Sequence, residues 1–182
     1  MQQTKWFERK FDFNSHENIF PSVIERLAGT PARLDEKFKS IPVNILSERI
    51  DNTWTIKENV GHLTDLEPLW QGRLEDILNG ETEMRPTDLQ NRKTTEANHN
   101  DVAIEKLLKD FRHIRMHTIT MIENLNEEQI FKSALHPRLK TPMRTIDLFL
   151  FGVLSEVIFC LNCDQMNPMI QMFRNFLRIW KK

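Results

Sequence analysis

Apolar positions recur along most of the chain with the 3.6-residue period of amphipathic helices. Between Ile19 and Phe38 they fall at Ile19, Phe20, Val23, Ile24, Leu27, Leu34 and Phe38. That stripe predicts a first helix, interrupted near "GTPAR" and kinked at Pro31, where a ring replaces an N–H donor. "SIPVN" reads as a connection and "ILSERI" as a short helical turn. A second stripe joins Ile56, Val60, Leu63, Leu66, Trp70, Leu74, Ile77 and Leu78. Its start is signalled twice, by Thr53 as a cap and by Thr55 with Glu58 at capping-box spacing. Asn79 and Gly80 end it.

The polar run "ETEMRPTDLQNRKTTEANHN" has no period and reads as a long loop, of the kind that is often functional in compact domains. A third helix is predicted from about Asp101 to Leu125, capped by Asn100 or Asp101 and lined by Ile104, Leu107, Leu108, Phe111, Ile114, Thr118, Met121 and Ile122. "TPMRTIDLFLF" predicts a fourth, with Thr141 as cap and Pro142 in the first turn, running to about Asp164. Pro168 interrupts the pattern before a short amphipathic C-terminal helix, "MIQMFRNFLRIWKK". No internal repeat, strand pair or Gly-rich phosphate loop is evident. The expectation is an all-α fold, an antiparallel four-helix bundle in one domain over residues 1–182.

Composition narrows the setting. With 25 Lys and Arg against 26 Asp and Glu, the net charge of −1 gives no electrostatic reason to favour nucleic acid or an acidic membrane, so no nucleic-acid partner is expected. "MQQTKWFERKFDF" lacks the apolar core of a secretory signal, and no segment approaches the ~20 apolar residues of a membrane span. A soluble cytoplasmic protein without a membrane partner is expected. Cys160 and Cys163 sit within one helical pattern and read as free thiols.

Few residues offer chemistry. His62 lies at the edge of the second stripe, where a bundle can build a ligand site, although a lone histidine is more often hydrogen-bonded structure. Glu67 falls about 40° from the stripe centre and faces the core. It is the candidate base, or else half of an inter-helix salt bridge. His113 and His117 have i, i+4 spacing but point about 140° and 100° away from the third stripe. Glu156, Cys160 and Cys163 share one edge of the fourth helix and are competent zinc ligands, set against the plainer reading of buried thiols and a solvated carboxylate. His16, His99 and His136 fall in capping or loop segments.

"WTIKENVGHLTDLEPLW" followed by "TPMRTIDLFLF" resembles the DinB and YfiT-like superfamily, which includes bacillithiol transferases and mycothiol-dependent enzymes. The resemblance implies an up-down-down-up bundle, often dimeric, with a divalent metal such as Zn or Ni held by one histidine of the second helix and two of the fourth. His62 matches the first ligand. The expected His-x-x-x-His pair falls on Ser155 and Phe159, and no histidine follows His136. The resemblance therefore implies a metal-dependent thiol transferase or hydrolase acting on a small molecule or thiol, with an incomplete or altered site. Glu156, Cys160 and Cys163 are the substitute ligands at hand. A bundle without catalysis, binding a small molecule or pairing through its helix faces, is the alternative.

Overall fold

The structure, a computed structural model, describes residues 16–49 and 53–153. The elements are helices α1 (Phe20–Phe38), α2 (Val43–Leu46), α3 (Ile56–Asn79), α4 (Arg92–Glu96), α5 (Ile104–Glu123) and α6 (Glu127–Phe131), then strands β1 (Ser133–Leu135) and β2 (Pro142–Arg144). A helix α7 occupies 145–153. The expected end of the fourth helix, the C-terminal helix, Ser155, Phe159 and the ligand candidates Glu156, Cys160 and Cys163 lie outside the described residues. No helix among the described residues is long and apolar enough to cross a membrane.

Local chemistry explains α3 well. Thr55 caps it, accepting from the Glu58 N–H while the Glu58 carboxylate accepts from the Thr55 N–H, which satisfies two donors a helix start leaves unpaired. Gly80 ends it at φ 79°, a left-handed conformation that glycine adopts without strain. In α1, by contrast, the expected interruption is absent, because the helix runs unbroken through Pro31. Pro31 cannot donate to the carbonyl of Leu27, four residues back. Arg115 of α5 donates to that oxygen instead, at 3.4 Å. The third helix also starts later than its pattern predicts: Ala103 precedes α5 without a side-chain cap, and Asn100 and Asp101 belong to a 3-10 turn spanning His99–Asp101.

Four helices, α1, α3, α5 and α7, form the bundle. Glu67 meets Arg115 and Gln71 meets Thr118, so residue numbers rise together along α3 and α5 and these two helices are parallel. Phe38, at the end of α1, packs in one cluster with Ile56 and Ile104 at the starts of α3 and α5, so α1 runs against both. Ile146, at the start of α7, clusters with Ile77 near the end of α3, while Phe151 stacks edge-on to Trp70 at 6.4 Å. The order is up-down-down-up, as the family resemblance implies, so α3 and α5 are a parallel pair in a bundle whose periodicity alone suggests antiparallel neighbours. Residues 81–103 must therefore travel back along the length of α3.

The interior divides in two. One apolar cluster centres on Phe20, Leu27, Leu74, Ile77, Ile119, Ile122 and Phe149, and the other on Leu34, Phe38, Ile56, Val60, Leu63, Leu107 and Phe111. Burying each such side chain contributes about 1.5–3 kcal/mol, so these clusters, more than any single polar contact, drive assembly. Between them lies a polar layer: Glu67, Arg115, Thr118 and Gln71.

Sequence pattern missed a strand pair. β1 and β2 form an antiparallel hairpin with Ala134 opposite Met143, and Leu135 also bridges to Glu83 in the loop after α3. Thr141 and Pro142 therefore do not open the fourth helix. It begins at Thr145, where Asp147 accepts from the Arg144 N–H at 3.0 Å and from its guanidinium at 2.7 Å.

Candidate functional site around His62

The N-terminal turns of α3 hold the returning segment that contains α4 and the His99–Asp101 turn. Thr55 donates to Asn100 Oδ1 at 2.6 Å, Asn100 donates from Nδ2 to Glu58 Oε1 at 3.1 Å, and Lys57 donates to the Asn100 carbonyl at 3.0 Å. The capping box is thus also a docking point. One turn on, Gly61 leaves room for the His99 ring, since a Cβ there would lie 2.3 Å from it.

This docking assembles four polar side chains from the helix and the loop. His62 Nδ1 lies 2.8 Å from Thr94 Oγ1, Thr94 donates to Asp65 Oδ2 at 3.0 Å, and His99 Nε2 lies 2.9 Å from the same carboxylate oxygen. Lys93 Nζ stands 3.5 Å from Asp65 Oδ1. Thr94 and His99 are buried and His62 is half-buried, with the Trp54 ring 4.7 Å away. Burial lowers the His62 pKa to about 4; Asp65 opposes that shift and His99 adds to it. His62 is accordingly a neutral imidazole at neutral pH, the form that ligates metals or accepts protons.

Of these residues, sequence pattern pointed only to His62. His99 falls in a loop segment without periodicity, and neither Asp65 nor Thr94 carries a motif of its own. The available signal was slight: Asp65 follows His62 by three residues on one helix face, and "GH" puts the smallest residue beside the imidazole.

Glu67 sits elsewhere, 1% exposed and paired with the 2% exposed Arg115. Arg115 donates to Oε1 from Nε at 2.9 Å and Nη2 at 2.5 Å, and the Thr118 hydroxyl donates to Oε2. Both carboxylate oxygens are engaged, Oε1 in an inter-helix salt bridge and Oε2 by the Thr118 hydroxyl. His113 and His117 are exposed on α5. His136 is buried in the hairpin: its Nδ1 accepts from the N–H groups of Arg138 and Leu139, at 3.2 and 3.1 Å, and its Nε2 is 3.2 Å from Arg73 Nη1. Burial, then Arg73 and Arg138, lower its pKa to about 4. Burial also lowers the pKa of Arg73, to about 10.

A sequence profile of the DinB superfamily matches residues 26–154. The chain belongs to the DinB superfamily. Among solved structures of this fold, YfiT from Bacillus subtilis, a probable metal-dependent hydrolase with an unusual four-helix bundle topology, is similar at TM-score 0.69 and 18% identity, covering 86% of this chain and 92% of YfiT. A protein from Streptococcus pneumoniae aligns at TM-score 0.58 and 17% identity, over 93% of each chain. The colibactin self-resistance protein ClbS, in complex with double-stranded DNA, aligns at TM-score 0.60 and 12% identity, over 88% of this chain and 98% of ClbS. No protein of curated function matches the chain.

The ClbS complex overturns the exclusion of nucleic acid drawn from net charge. A near-neutral total averages over the whole surface, whereas phosphate contacts depend on local placement of Lys, Arg and backbone donors. ClbS shares this fold and is in complex with DNA, so net charge does not rule on a nucleic-acid partner.

The DinB fold also raises the question of a metal. His62, neutral and with one nitrogen oriented by Thr94, has the chemistry of a ligand. Among the described residues, however, no group of three His, Cys, Asp or Glu side chains could hold an ion. Asp65 and His99 are turned toward each other. A zinc site needs three or four protein ligands, and the described residues do not make one.

Proposed function

We propose that this DinB protein is a metal-dependent hydrolase or thiol transferase with a metal site that departs from the three-histidine pattern, centred on His62. The observation that carries this reading is the neutral, half-buried imidazole of His62, tied through Thr94 to Asp65. Support for the reaction class comes from the sequence resemblance and from the likeness in fold to YfiT, a probable metal-dependent hydrolase. On this reading Glu156, Cys160 and Cys163 complete the ligand set with His62, and Glu67 acts as an inter-helix brace.

Metal analysis of protein purified without chelator tests the proposal. The expected result is near-stoichiometric Zn or Ni in the wild-type chain, lost in His62→Ala and reduced in Cys160→Ala. Metal-free protein whose melting temperature does not move on adding zinc would overturn it. The second reading, a bundle that binds a small molecule without catalysis, is favoured by the absence of any histidine after His136. It predicts that metal-free result.

A further inference from the structure

The hydrogen bonds around His62 have a direction that the heavy-atom distances determine together. An ionised carboxylate only accepts, and a threonine hydroxyl carries one proton. Thr94 gives that proton to Asp65 Oδ2. The remaining contact of Thr94 Oγ1, with His62 Nδ1 at 2.8 Å, then requires Nδ1 to be the donor. His99 meets the same Asp65 oxygen from Nε2 at 2.9 Å and must donate as well. The chain of donors runs inward from both imidazoles to one carboxylate.

We infer that Thr94, Asp65 and His99 are positioning residues that hold His62 with its proton on Nδ1 and its lone pair on Nε2. The segment from α4 to the His99–Asp101 turn is on this account part of the site and not a cover over it. Neutral imidazole otherwise exchanges between two tautomers, and a partner on one nitrogen decides which is present. Gly61 makes the arrangement possible, because any side chain there would collide with the His99 ring. The inference rests on reading His62 as the metal-ligating imidazole, but its test does not need a metal.

The test is nitrogen-15 NMR of the imidazoles in the metal-free full chain near neutral pH, with the His62 signals assigned by their loss in His62→Gln. The expected spectrum shows His62 protonated at Nδ1 and unprotonated at Nε2. Thr94→Val should turn this into a mixture of tautomers, and Thr94→Ser should restore the single form. With zinc alone as probe, Thr94→Val should also weaken binding by about 10–100-fold. A wild-type His62 protonated at Nε2 overturns the inference whatever the metal analysis gives, as does an unchanged tautomer in a folded Thr94→Val. If Thr94→Val does not fold, the wild-type spectrum alone decides. A chain that takes up no zinc yet shows the Nδ1-protonated form would defeat the proposed function and leave this inference standing.

Discussion

Replacing Glu67 with glutamine removes one negative charge without opening a cavity, and it should be among the most damaging single changes in the bundle. Arg115 is 2% exposed and its guanidinium reaches three helices: its own α5, Glu67 on α3 and the Leu27 carbonyl on α1. It also lies 4.9 Å from the Phe111 ring centroid. Breaking a buried ion pair from one side typically costs about 3–5 kcal/mol. For a chain of this size that corresponds to a melting temperature lower by roughly 6–20 °C. Urea unfolding followed by circular dichroism at neutral pH measures the loss directly. Glu67→Gln with Arg115→Met removes both charges of the pair and should recover part of it, the Leu27 carbonyl left without this donor costing about 1 kcal/mol. A loss below about 1 kcal/mol for Glu67→Gln alone, the value of an exposed pair, would refute the view that this layer is dry.

Two further outcomes follow from the loops. His136 is held neutral in the folded chain, its pKa depressed from 6.5 to about 4, so the unfolded chain binds the extra proton first and stability falls as pH drops from about 6.5 toward 4. His136→Asn keeps a side-chain acceptor for the two hairpin N–H groups, and denaturant titrations across that window should show a flatter slope; an unchanged slope would point to other groups. Gly61→Ala places a methyl carbon 2.3 Å from the His99 ring, and overpacking of this kind costs about 1–3 kcal/mol. Hydrogen exchange should show faster exchange at residues 99–101, and protection equal to wild type would mean that His99 does not need the gap.

Legibility in the sequence tracked the range of the interactions. α3 is legible to within two residues at its start, between Thr53 and Thr55, because its signals are local: a capping box from Thr55 to Glu58, a single stripe and a glycine stop at Gly80. The continuity of α1 through Pro31 is not legible locally, because the donor that replaces the lost hydrogen bond is Arg115, 88 positions from Leu27. The hairpin escaped because strands of three residues show too little alternation to register, and Pro142 imitates a helix start. The site was half legible. His62 stood out by family pattern, but Thr94 and His99 reach it from a segment without periodicity, 32 and 37 residues further on. Only the parallel course of α3 and α5, which forces the chain back along α3, brings them there.

The pairing between the loop after α3 and the hairpin couples two connections that most bundles leave independent. Met84 N–H donates to the Leu135 carbonyl and Leu135 N–H to the Thr82 carbonyl, each at 3.0 Å, while Leu135 is also in register with Pro142, three residues before α7 begins. Where α3 stops therefore helps to set where α7 starts. An insertion between Gly80 and Thr82 would be transmitted through this ladder as a shift in the depth at which α7 enters the bundle. Loop length at this end of the molecule acts as a gauge for the height of α7 opposite Trp70, and variation among DinB chains is better accommodated between Arg85 and Asn91, beyond the ladder.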